Sequence, residues 1–256
     1  MISIKSEREI KLMREAGMLN YLTHEEIRKH IRAGVKTKDL DKVARDFISS
    51  HNATLSCLNY EGYPASICVS INDEVVHGIP SSRRLANGDI VSIDFTVRLN
   101  GYESDSARTY IVGEVPKEVK ALVENTKNAL YEGIKQVRPG ARIGDISNAI
   151  ETFANMHGLS VVEELVGHGI GTEMHEDPDV PNFGAKGKGP VLKEGMVIAI
   201  EPMLNLGKKD VCMLDDDWTI VTEDGSPSAH FEHTVAVTKN GYKILTGEIE
   251  NGEKEI

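Results

Sequence analysis

No stretch of 18 consecutive apolar residues occurs in this 256-residue sequence, and the opening segment MISIKSEREIK has no apolar core. Neither a membrane-spanning helix nor a secretory signal peptide is expected, so the chain reads as cytoplasmic. Cysteine is scarce: Cys57, Cys68 and Cys212 are an odd number without CxxC spacing. That pattern speaks against a disulfide framework or a structural zinc knuckle and leaves reduced thiols. Basic charge is short as well, with 29 Lys and Arg against 40 Asp and Glu, for a formal net charge of −11. A chain with no basic stretch lacks the electrostatic footprint of nucleic-acid or anionic-membrane binding.

What is present is ordinary globular composition, 40% hydrophobic and 27% charged, which sets disordered and fibrous classes aside. At roughly 150 residues per domain, one large domain and two halves are both open.

Ser6 and Glu9 have capping-box spacing, and Ile10, Met13, Ala16, Leu19, Ile27 and Ile31 fall near one helical stripe. This predicts a long first helix ending by Gly34. Leu40, Val43, Ala44, Phe47 and Ile48 predict a second amphipathic helix from Thr37. The runs ICVSI, DIVSIDFTV and TYIVG then read as strands. The same order begins again with KALVENTKNALYEGIKQV and with Ile146, Ala149, Ile150 and Phe153, before the strand-like runs MVIAI and TVAVT.

Gly34, Asp39, Phe47 and His51 match Gly140, Asp145, Phe153 and His157 at an offset of 106 residues. LANGDIVSID (85–94) aligns with LKEGMVIAIE (192–201) at an offset of 107, pairing Asp94 with Glu201. A period this long is not a solenoid repeat. It reads as a duplication of two related halves, about 1–113 and 114–256, packed about a pseudo-twofold axis in one domain. The fold class is α/β, and a cleft is expected between the halves.

Asp94 and Asp105 flank LNG, a turn signal between two strand runs, so a hairpin brings them across one ladder. Taken by itself the pair reads as solvated surface. Glu201, however, sits in the apolar run IAIEPM, where a buried carboxylate needs a partner. Glu232 opens another apolar strand in AHFEHTVAV, and His168 lies among glycines in VGHGIG. Four carboxylates and one imidazole without a thiolate form a hard ligand set suited to Mn(II), Fe(II), Co(II) or Zn(II). The four acids balance two divalent ions, which bridging carboxylates would hold roughly 3.5–4 Å apart.

HGIP at 77–80, SIDFT with Asp94, SDS with Asp105, GHGIG with His168, MHEDP with His175, IEPM with Glu201 and FEHT with Glu232 together resemble the type I methionine aminopeptidases. The resemblance covers essentially the whole chain and implies the pita-bread fold with two metal ions between the halves. It assigns Asp94, Asp105 and Glu232 to one ion and Asp105, His168, Glu201 and Glu232 to the other. It also implies removal of the initiator methionine from nascent proteins with a small second residue, through attack of a metal-bridging hydroxide. Glu201 is then the general base, with His77 near the scissile nitrogen and His175 near the carbonyl oxygen. Cys57, Tyr60, Tyr63, Cys68, Met174 and Trp218 correspond to the methionine pocket, Met174 standing where phenylalanine is common, and all six are expected to be largely buried.

Relatives also carry a monovalent-cation site of backbone oxygens near Asn72 and Ser228. A monomer that acts on peptide or nascent-chain N-termini, with transient ribosome contact, is the implied setting. Aminopeptidase P and prolidase share the fold and ligands but usually add an N-terminal domain, whereas about five residues precede the first helix here. Type II enzymes carry a helical insertion in the second half, for which the 25 residues between His175 and Glu201 are too few. His24, His30 and His230 have no constellation of their own, Asp215-Asp216-Asp217 reads as a solvated turn, and the tail GEIENGEKEI is expected to fray.

Overall fold

A computed structural model describes residues 1–248, and most of the tail GEIENGEKEI lies outside them. Two helices open the chain, α1 (Glu7–Arg28) and α2 (Thr37–Ser49), followed by strands β1 (Thr54–Leu55), β2 (Cys68–Ile71), β3 (Glu74–Val76), β4 (Ile90–Leu99) and β5 (Tyr102–Ile111). Two more helices follow, α3 (Lys117–Ile134) and α4 (Ile143–Met156). The remaining strands are β6 (Ser160–Val161), β7 (Gly167–Gly169), β8 (Glu176–Val180), β9 (Val197–Ile200), β10 (Met203–Asn205), β11 (Val211–Met213), β12 (Ile220–Thr222), β13 (Ser228–His230), β14 (His233–Thr238) and β15 (Gly241–Ile244).

Local chemistry accounts for these elements. The Ser6 hydroxyl accepts from the Glu9 N–H while the Glu9 carboxylate accepts from the Ser6 N–H, so both orphan donors at the start of α1 are satisfied. The helix stops at Arg28, short of Gly34, which instead takes a positive φ of 88° in the following loop. Ile31 is therefore a loop residue packed at the core edge. In the β4–β5 hairpin, Leu99 pairs with Tyr102 across Asn100-Gly101, both at positive φ, as a tight two-residue hairpin turn requires.

Equivalent hydrogen bonds recur in the two halves. The Gly34 N–H donates to Leu85 O at 2.7 Å, and the Gly140 N–H donates to Leu192 O at 2.9 Å. The bridges Lys36 to Arg84 and Arg142 to Val191 follow the same offsets. The apolar side chains gather in two main cores, one running from Ala16 to Val112 and one dominated by residues from Val119 to Val237. Each helix pair turns its stripe onto the strands of its own half, which is where most apolar area leaves water.

The halves meet along β5. Thr234 Oγ1 accepts from the Asp105 N–H at 2.9 Å and donates to Asp105 O at 2.8 Å. The Glu232 N–H donates to Ala107 O at 2.9 Å, and Thr109 Oγ1 bonds both the N–H and the O of His230 at 2.9 Å. These three contacts step two residues at a time along β5 and fix its register against β13 and β14.

A buried carboxylate centre in the interhalf cleft

Two sheets part at one point. β14 pairs with β9 up to His233 and Ile200, while β13 pairs with β10 from His230 and Met203. Glu201 and Glu232 occupy the switch between these ladders, where the strands diverge and side chains can reach the cleft. On the other side of the cleft, Asp94 faces Ala107 and Asp105 faces Thr96 in the β4–β5 register. That makes the two aspartates diagonal neighbours on one face of the hairpin.

All thirteen residues singled out from the sequence line one cleft of about 700 Å³: Cys57, Tyr60, Tyr63, Cys68, His77, Asp94, Asp105, His168, Met174, His175, Glu201, Trp218 and Glu232. Glu61 and Thr96, which the sequence did not point to, also line it. Thr96 Oγ1 donates to Asp105 Oδ2 at 2.8 Å, and Glu61 stands at φ 49° in the loop before Tyr63. The sequence carried one signal for Thr96, its strand position two residues after Asp94, which puts it on the same face.

At the floor, ligand atoms of Asp105, His168 and Glu232 lie within 4.8 Å of one another, all three residues buried. His168 Nε2 stands 3.6 Å from Glu201 Oε1. Its Nδ1 lies 2.9 Å from Gly169 O, a bond that requires a proton on Nδ1 and leaves a lone pair on Nε2 for a cation. Gly169 has to be glycine, since a Cβ there would sit 2.1 Å from Asp177 O.

Oδ1 of Asp105 and Oε1 of Glu232 are buried with no hydrogen-bond partner. Unpaired buried carboxylate oxygens are costly unless a cation takes them, so these residues fit a divalent metal. Burial pushes the Glu201 carboxyl up to about 8 and holds those of Asp94 and Glu232 well above the ordinary carboxylate range, with neighbouring carboxylates adding to each. Asp105 is raised too, chiefly by burial, with His168 opposing.

Metal uptake must therefore displace protons, and affinity should climb as pH rises toward 8. Without metal, the stability contributed by the raised Glu201 group is full below pH about 4.5 and lost as pH rises through about 8. Titration calorimetry of Mn(II) at pH 6.5 in two buffers of different ionisation enthalpy should report more than one proton released per chain. Heats independent of buffer would contradict this.

The upper wall differs from the sequence expectation in its exposure. Tyr63, Cys68 and Met174 are buried, but Cys57, Tyr60 and Trp218 are only half-buried, because they form the open lip of the cleft rather than its wall. Trp218 stacks edge-on against Tyr63 at 5.1 Å and lies 6.2 Å from the His77 ring. Asp216 accepts from the Trp218 and Thr219 N–H groups, closing the expected turn.

His77 adopts φ 59°, a backbone strain typical of functional positions. Burial, with the nearby His230 adding, pushes its pKa down to about 4, so it is neutral at pH 7. His175 sits at the mouth, its Nδ1 2.7 Å from the Tyr60 hydroxyl and its ring 4.3 Å from that of His168. His230 does have a constellation: it is buried behind Glu201, with Nε2 3.6 Å from Glu201 Oε2. The motif FEHT does not encode this, because only strand pairing with Met203 brings His230 beside Glu201.

Comparison with known proteins identifies the family. The model for metallopeptidase family M24 matches residues 11–239. Methionine aminopeptidase 1 of Bacillus subtilis is 52% identical over 246 residues, covering 96% of this chain and 99% of that protein. The crystal structure of methionine aminopeptidase from Rickettsia prowazekii superposes with a TM-score of 0.95 at 47% identity, over 96% of this chain and 100% of that one. A prolidase from Pyrococcus furiosus shares the fold alone, at 23% identity and a TM-score of 0.76, over 96% of this chain and 66% of its own. The architecture is the pita-bread fold, and the chain belongs to metallopeptidase family M24, among its type I methionine aminopeptidases.

Proposed function

We propose that this aminopeptidase removes the initiator methionine from peptides and nascent proteins with a small second residue, using two divalent ions. The observation that carries the reading is the pair of orphaned carboxylate oxygens on Asp105 and Glu232 at the floor of a cleft with a thiol and aromatic upper wall. Asp94, Asp105 and Glu232 would hold one ion, and Asp105, His168, Glu201 and Glu232 the other. Cobalt, manganese, iron(II) and zinc all suit this donor set. Bound ions would acidify a water to serve as nucleophile near neutral pH and polarise the scissile carbonyl.

The chain's own groups supply the rest. Glu201 takes the proton of the attacking water at its carboxylate and passes it toward the departing amine. His77, neutral at pH 7, donates near the scissile nitrogen. His175 donates from Nε2 to the carbonyl oxygen, its proton kept there when the Tyr60 hydroxyl donates to Nδ1. Cys57, Cys68, Tyr60, Tyr63, Met174 and Trp218 receive the methionine side chain, whose polarisable thioether suits sulfur and ring edges.

We read the chain as one catalytic domain of two halves, 1–113 and 114–256, working in the cytoplasm as a monomer on nascent-chain N-termini, with transient ribosome contact. Among the described residues no helix is long and apolar enough to cross a membrane. Metal-loaded protein should cleave Met-Gly peptides and leave Met-Lys peptides largely intact. Equal cleavage of both, or cleavage of X-Pro peptides instead, would overturn the assignment.

A further inference from the structure

His230 is 1% exposed, and neither of its ring nitrogens has a hydrogen-bond partner. Buried polar groups left this way call for an explanation. Its backbone cannot move to find one, because Thr109 Oγ1 holds both its N–H and its O at 2.9 Å. The ring is aimed at Glu201, with Nε2 3.6 Å from Oε2. It lies behind that carboxylate and does not line the cleft.

Glu201 is bracketed by two imidazoles, since His168 Nε2 stands 3.6 Å from its other oxygen, Oε1. Only one of the two can donate. His168 carries its proton on Nδ1, which bonds Gly169 O at 2.9 Å, and offers Glu201 a lone pair. His230 has no such commitment. The terminal torsion of a glutamate side chain is broad and two-fold, so the carboxylate needs a donor on one oxygen to define where the other points.

We propose that His230 is a positioning residue whose Nε2–H donates to Oε2 of Glu201 and thereby orients Oε1 into the cleft. A small rotation of the carboxylate closes the 3.6 Å separation to hydrogen-bond distance. This rests on the proposed role of Glu201 as proton acceptor. His230 itself touches neither substrate nor metal.

The test uses the full chain loaded with Mn(II), comparing His230→Leu, which removes the donor, with His230→Gln, which keeps an N–H donor on a side chain of similar reach. Leu is expected to lower kcat at least about tenfold with KM and Mn(II) stoichiometry unchanged, and Gln to recover most of the loss. Equal losses in both variants, no loss in either, or loss of Mn(II) from the Leu variant would overturn the inference. An independent readout on the unaltered protein is the ¹⁵N spectrum of its labelled histidines, in which the His230 ring should carry its proton on Nε2; a proton on Nδ1 would overturn it. Glu201→Gln separates the two readings: if that variant keeps full activity, the role of Glu201 falls, whereas a dead Glu201→Gln beside a fully active His230→Leu rejects His230 alone.

Discussion

Glu201→Gln is expected to lower kcat by about 10³-fold, within the range of about 10²–10⁴ for loss of a positioned acid–base group. The side chain keeps its shape and one oxygen, so packing at the switch between β9 and β10 survives. What disappears is a carboxylate lining the cleft that can accept and release a proton. The backbone is held independently, because Asn182 Nδ2 donates to Glu201 O at 3.1 Å. Steady-state kinetics on a Met-Gly peptide, with metal content measured in parallel, checks this. A kcat within tenfold of the unaltered enzyme would remove Glu201 from the proton path.

Asp105→Asn should act in opposite directions on metal binding and on stability without metal. Asp105 sits in the buried group with His168 and Glu232, and its Oδ1 has no partner. Losing this charge should weaken metal affinity by at least about 10²-fold, the upper end of what even outer-sphere changes cost. Activity at limiting metal should fall in parallel. Without metal, the same substitution removes a charge that burial makes unfavourable. Replacing buried charges with neutral groups is often neutral or stabilising by about 1–4 kcal/mol. One kcal/mol corresponds to a Tm rise of roughly 2–4 °C in a chain of this size. The bond from Thr96 Oγ1, at 2.8 Å, transfers to the amide oxygen. Thermal unfolding with and without Mn(II) reads both effects. A lower metal-free Tm, or an undiminished rise on adding Mn(II), would contradict the account.

Local rules were legible wherever the interaction is local. Ser6 and Glu9 are three residues apart and cap each other. Asn100-Gly101 determines a turn that brings Asp94 and Asp105 onto one face. Cys57, Tyr60 and Trp218 line the cleft, yet they are half-buried where the sequence predicts burial, because burial depends on what covers a loop and not on what the loop contains. Nothing within the segment around His230 distinguishes it. Its orphaned nitrogens acquire meaning only beside a carboxylate on another strand.

The sequence by itself determined the helix stripes, the hairpin turn and the kinds of donor atom available, since these depend on contacts within a few residues or on side-chain chemistry. Tertiary structure decided which donors converge. β5 registers against β13 and β14 through Thr109 and Thr234, each hydrogen-bonded to a strand more than 100 positions away along the chain. That register brings the carboxylates of two halves into one cleft, where burial raises their pKa values and makes a cation the natural partner. No local preference encodes this, because long-range pairing is settled by the packing of both cores at once.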